Sequence, residues 1–178
     1  MELLEDRRFA KEPFIRRLGT ASCGPDEGIV GELDLLAREG WPVPEGMVVT
    51  REAHWAFLRS SGLMDEILSY AAGEPREWAL TPSLRCTTSL IEGELNQALC
   101  DALIDLGAPS VVVISERVRK GDLKSIPEVK EAILEAWLSE RDLERQVRAV
   151  ACGRGIPTWP VLIRREVRPQ YTGQPPEE

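Results

Sequence analysis

One histidine, four widely spaced cysteines and four lysines in 178 residues are shortages that remove several classes of function. Cys23, Cys86, Cys100 and Cys152 form no C-x-x-C pair, and only His54 is available to join them, so no zinc site can be written from the sequence. The same spacing gives no disulfide framework, and the expectation is small buried thiols in a reducing compartment. No apolar run approaches the roughly 20 residues that a membrane-spanning helix needs. The start, Met1-Glu2-Leu3-Leu4-Glu5-Asp6, is acidic where a secretory leader is basic. A cytoplasmic protein without membrane contact is therefore expected. Positive charge is also short. With 22 Lys and Arg against 30 Asp and Glu the formal net charge is -8, which repels a phosphate backbone and argues against a general nucleic-acid surface. Eighteen of those cations are arginine, and arginines gathered on one face can still bind a local anion.

What is present reads as one domain. A hydrophobic content of 43% is ordinary for a globular chain, and this length buries a substantial core. The expected fold is α/β in composition (α+β), a single small sheet flanked by several helices over residues 13–169. A charged N-terminal arm occupies 1–12 and a flexible acidic tail 170–178. Phe14-Ile15 suggests an edge strand. Gly28 to Glu39 suggests a helix with Ile29, Leu33 and Leu36 on its apolar face, stopped at Gly40. Met47-Val48-Val49 and Ser110 to Ile114 are β-branched or apolar runs without polar alternation, as buried strands are. Thr50 is placed to cap a helix carrying Trp55 and Leu58, and Leu63 to Ala72 continues in helical spacing. Glu92 to Leu106 repeats Leu95, Ala98, Leu99, Ala102, Leu103 and Leu106 at helical intervals. Ser125-Ile126-Pro127-Glu128 is a capping box, Ser139 caps a further helix, and Pro160 to Ile163 opens a last strand. Residues 73–82 read as a loop.

The order of these elements carries a resemblance. Gly31-Glu32-Leu33, then Gly40-Trp41-Pro42-Val43-Pro44-Glu45-Gly46-Met47-Val48-Val49-Thr50, then Ala53-His54-Trp55-Ala56-Phe57-Leu58 resemble the opening of the ATP-binding domain of the phosphoenolpyruvate synthase and pyruvate phosphate dikinase family. Ala102 to Val113 is similar to the family's helix leading into its V-A-V-R-S-S-A strand. Ala132 to Ser139 resembles its A-I-x-x-C-W-A-S helix, and Pro160 to Val167 its V-V-V-Q-R-M-V strand. The likeness covers residues 14–173 and implies the first lobe of an ATP-grasp domain, with ATP and Mg²⁺ as cofactors of a phosphotransferase.

Where the family does its chemistry, this chain departs from it. Asp26 falls at the position of the phosphate-binding lysine, with Glu27 beside it, and two carboxylates repel the phosphates that such a site must hold. Ile114 falls at the family's arginine and Arg164 at its glutamine. An alternative alignment places the arginine at Arg85. The expectation is therefore a degenerate, non-catalytic lobe without a cofactor, acting as a binding or regulatory protein. Its open face would be covered by a protein partner or a second copy. The alternative is residual nucleotide binding as half of a split phosphotransferase, with Arg117, Arg119 and Arg164 replacing the lost cations. No catalytic or metal residue is assigned.

Other residues have plainer readings. His54 suits a helix surface or packing role better than acid-base work, since no motif partner surrounds it. Asp26 and Glu27 suit a helix start better than a metal site. Arg164 and Arg168 share a strand face that Arg165 does not, which suits a solvated strand end. Trp55 and Trp137 suit the core, while Trp41 and Trp159 suit a contact surface.

Overall fold

Short β-branched and apolar runs build the sheet, and charged or proline-flanked segments mark its borders. The computed structural model describes residues 14–74 and 91–167. Five strands, β1 (Ile15–Arg17), β2 (Gly46–Val49), β3 (Val111–Ile114), β4 (Arg119–Leu123) and β5 (Val161–Arg165), form one sheet in the order β1-β2-β5-β3-β4. Every neighbouring pair is antiparallel. β2 and β3 are buried along their whole length, as their unbroken apolar sequences require. β4 is not legible in the sequence. Arg119-Lys120-Gly121-Asp122 shows no apolar alternation because the strand is an edge, where charge prevents further pairing.

Six helices are described: α1 (Gly28–Arg38), α2 (Arg51–Ser60), α3 (Leu63–Ala71), α4 (Gly93–Leu106), α5 (Ile126–Trp137) and α6 (Glu140–Ala151). A single 3₁₀ turn, Pro25–Glu27, precedes α1. The fold is thus α+β. Ser125 accepts from the Glu128 amide while the Glu128 carboxylate reaches back to the Ser125 amide, which fixes the start of α5. Ser139 does the same for α6 by accepting from the Asp142 amide. Thr50 stands at the start of α2, but its hydroxyl donates to the Phe14 carbonyl and so ties β1 to the helix.

The two sheet faces are covered unequally. On one, Met47, Val49, Val111, Val113, Val161 and Ile163 meet the buried faces of α2 through α6 in the main core. On the other, Val48, Val112, Ile114 and Leu162 meet only Ala21, Cys23 and Val30, with Leu18 and Leu33 packed alongside. α1 therefore covers its face almost alone.

The apolar face expected of α1 is not the one it buries. Val30, Gly31 and Asp34 point inward, while Ile29 and Leu36 are 43% and 38% exposed and Leu33 is half-buried. The cause is the 18–27 segment, which lies against Gly31 and Asp34. A Cβ on Gly31 would fall 2.0 Å from the Gly24 carbonyl oxygen, so only glycine admits that approach. Trp55 is half-buried beneath the Arg59 guanidinium, 4.9 Å from its ring, rather than in the core. Trp159 is also half-buried, inside an aromatic cluster, and is not a free contact surface. Trp41 is 61% exposed, as a surface residue should be. Of the cysteines, Cys23 is buried, Cys100 partly so and Cys152 exposed, which corrects the expectation of uniformly buried thiols. No helix among the described residues is long and apolar enough to cross a membrane.

Candidate functional site

A cavity of about 290 Å³ opens where the 21–27 segment meets the start of α2. Its wall consists of Ala21, Ser22, Cys23, Gly24, Asp26, Glu27, Thr50, Arg51 and Glu52. The segment is held in place by Asp34. This carboxylate is fully buried and accepts the Gly19 amide at 2.7 Å, the Ala21 amide at 3.2 Å and the Cys23 amide at 3.1 Å. Arg38, one turn further along α1, completes its shell at 2.6 Å. Three backbone donors and a guanidinium satisfy an anion that could not otherwise be buried. Ser22 takes a left-handed backbone at φ 56, a conformation that a non-glycine residue adopts only where its surroundings insist.

The cavity is acidic. Asp26 is exposed at its mouth. Glu27 accepts the Gly24 amide at 2.7 Å and pairs with Arg51 at 3.3 Å. Arg51 is the one cation among the described residues of the wall, and that pair largely cancels its charge. Glu52 adds a third carboxylate. Burial first, and then the charges of Glu27 and Asp34, push the Cys23 thiol far above its ordinary pKa, so it stays protonated and a poor nucleophile. Asp26 and Glu27 do not converge as metal ligands, because Glu27 is committed to the Gly24 amide and to Arg51.

The three candidate arginines separate. Arg117 pairs with Asp142 at the start of α6, at 3.1 Å, and lies beside the main core. Arg119 and Arg164 come together on the opposite side. In the sheet register Ile114 stands opposite both Arg119 and Leu162, and Arg164 stands opposite Val112 and Gly46. Strand alternation then puts Arg119 and Arg164 on the face that α1 covers. Arg165 points the other way, to the Leu106 carbonyl and Glu45. Arg168 and the alternative Arg85 lie outside the described residues, as do Trp78, Cys86, nearly all of the 73–82 loop, the 1–12 arm and the 170–178 tail.

His54 belongs to none of these places. It is fully buried, stacked on Trp137 with centroids 4.7 Å apart and 4° between planes, and edge-on to Trp159 at 4.7 Å. The Trp159 amide donates to its Nδ1 at 3.2 Å. Burial lowers its pKa to about 3, so the ring is neutral at physiological pH and serves packing. The helix-surface reading is therefore corrected to the packing one.

Sequence reasoning passed over Asp34. An acid in mid-helix, three residues after a helical glycine and four before an arginine, was the available signal, but nothing local shows that the chain folds back onto it. No protein-family model matches this chain, and no curated protein matches it.

Proposed function

We propose that this domain is a non-catalytic binding module of the cytoplasm. In this reading it is a degenerate relative of the first ATP-grasp lobe of the phosphoenolpyruvate synthase and pyruvate phosphate dikinase family, and it recognises a protein partner or a second copy. One observation carries the reading. The cavity at the segment where the resemblance places the phosphate-binding lysine is walled by Asp26, Glu27 and Glu52, and its cation Arg51 is already paired. A triphosphate entering there meets three carboxylates and one cation already paired through its Nη1, which is the reverse of the charge balance that phosphate binding needs. The outer side of α1 supports the binding half of the proposal. Ile29 and Leu36 lie exposed two turns apart and Trp41 follows the helix, offering apolar surface to a partner.

Isothermal titration of the full chain with ATP, ADP and AMP in the presence of Mg²⁺ tests this. Binding weaker than about 1 mM for each is expected, and micromolar affinity for any of them overturns the reading. The second reading, one half of a split phosphotransferase, draws support from Arg119 and Arg164 sharing a sheet face. It predicts ATP turnover only when a chain supplying the second lobe is added. Engagement of Arg117 by Asp142 counts against the three-arginine site that this reading needs.

A further inference from the structure

Arg119 and Arg164 place two guanidinium groups on one face of the sheet with no carboxylate paired to either. The chain has 30 acidic residues to 22 basic ones, so carboxylates are abundant, and Arg17, Arg38, Arg51, Arg117 and Arg165 all find one. Among the described residues Arg119 and Arg164 have no ion pair; Arg59, Arg141, Arg145, Arg148 and Arg154 also have none but lie on helices or in a loop, whereas Arg119 and Arg164 share one sheet face. The Arg164 Nε is moreover shielded from solvent without a hydrogen-bond partner. A shielded guanidinium donor left unmatched is costly, and a second guanidinium beside it adds repulsion instead of relief. Burial and the nearby Arg119 charge both hold the Arg164 pKa below its ordinary value, as two like charges on one face should.

Two glycines stand in the sheet row that holds Arg164, and both are closely approached. Arg164 is flanked across the sheet by Gly46 on β2, where a Cβ would fall 2.9 Å from the Ile163 carbonyl oxygen and 3.1 Å from the Arg164 Cβ. Beyond Val112, on the other side, comes Gly121 of β4. The row across this face therefore reads glycine, arginine, valine, glycine. The carboxylate of Glu166 lies over Gly121 and closes that end. Its Oε2 accepts the Ser110 hydroxyl and the Asp122 amide, each at 3.0 Å, so it is held away from pairing with Arg164.

We propose that Arg119 and Arg164 form a binding site for one compact oxyanion, either inorganic phosphate or the single phosphoryl group of a small molecule, on the α1-covered face of the sheet. An oxyanion accepting from both guanidinium forks satisfies the shielded Nε and turns the repulsion between the two cations into shared attraction. Glu166 at the edge selects against an extended polyphosphate, which would meet its charge. The proposal goes beyond the partner-binding reading and does not depend on it.

The test is calorimetric titration of the full chain at low ionic strength with inorganic phosphate, AMP and ATP, using matched chloride as the control. Sub-millimolar binding of phosphate is expected, weakened at least about tenfold by Arg164→Gln and by Arg119→Gln and unchanged by Arg117→Gln. Phosphate should raise the melting temperature of the parent and not that of Arg164→Gln, which keeps the test independent of any change in folding. AMP binding alone would assign the source as an esterified phosphoryl group, and phosphate binding alone would assign the free anion. No heat and no thermal shift with any probe, or equal binding by Arg164→Gln, overturns the site and leaves the non-catalytic reading standing. Micromolar ATP binding abolished by Arg164→Gln keeps the arginine site, while overturning both its single-phosphoryl preference and the non-nucleotide reading.

Discussion

The two faces of the sheet are built on different physical principles. The face under α2 to α6 is closed by apolar packing, with Trp137, Phe57, Leu99 and Ile133 almost wholly out of water and His54 held neutral between two indoles. The face under α1 is closed by one helix and a returning segment, and a single carboxylate, Asp34, holds that segment. Packing of the first kind is spread over many contacts and tolerates few openings. Closure of the second kind depends on a few hydrogen bonds and leaves uncovered what the first face hides: the acidic cavity, the two arginines and the outer side of α1. The difference shows why stability concentrates on one side and candidate ligand chemistry on the other.

Trp137→Ala should break the first face and have the largest effect, a loss of roughly 3–5 kcal/mol in denaturant unfolding, since it removes the ring on which His54 stacks and Phe57 leans. Asp34→Ala should come next, at roughly 3 kcal/mol, because three amides and Arg38 lose their acceptor. Its signature should be local. Amide exchange at Gly19, Ala21 and Cys23 should accelerate while the α5 amides stay protected, and Cys23 should alkylate faster. Global unfolding of Asp34→Ala would show that the second face is not a separable closure.

Acid should divide the faces again. His54 titrates at about 3 when folded and near 6.5 when unfolded. The unfolded chain therefore binds a proton that the native one refuses, and stability rises with pH through that window and levels above 6.5. The expected slope between pH 5 and 6 is roughly 1 kcal/mol per unit. His54→Phe should flatten this slope, at a cost of about 1 kcal/mol at pH 7 for the orphaned Trp159 amide. An unchanged slope would place the titration elsewhere.

How much of this was legible in the sequence follows the same division. Helical spacing showed α4 to α6, and the apolar runs at 47–49 and 110–114 showed the central strands, because burial on the main-core face leaves a periodic trace. β4 left none, since an edge strand carries charge without alternation. The stripe Ile29, Leu33 and Leu36 pointed to the wrong side of α1 because periodicity shows that a helix has an apolar face without showing what covers it. Gly31 and Asp34 take their meaning from residues up to 15 positions away, as the Gly19 to Asp34 bond shows. The acidic pair Asp26 and Glu27 and the abundance of arginine were visible at once as residue types. That Arg119 joins Arg164 while Arg117 leaves them is a matter of register, which the composition of a hairpin does not specify.

The smallest effect on folding should come from the outer side of α1, and it sharpens the comparison most. Val30 is 1% exposed and Ile29, its neighbour in sequence, 43%, so the two residues separate packing from display within one turn of helix. Val30→Ala should cost about 1–2 kcal/mol through a cavity beneath α1. The double variant Ile29→Ser with Trp41→Ser should change folding by less than about 1 kcal/mol, because both side chains already meet water. On the proposed binding reading it should instead abolish self-association, read by sedimentation of the chain alone at high concentration. If the double variant costs as much as Val30→Ala, the outer side is packed on folding and offers no contact surface. If it costs little and association persists, the partner docks elsewhere, and the apolar display on α1 ceases to support a binding module.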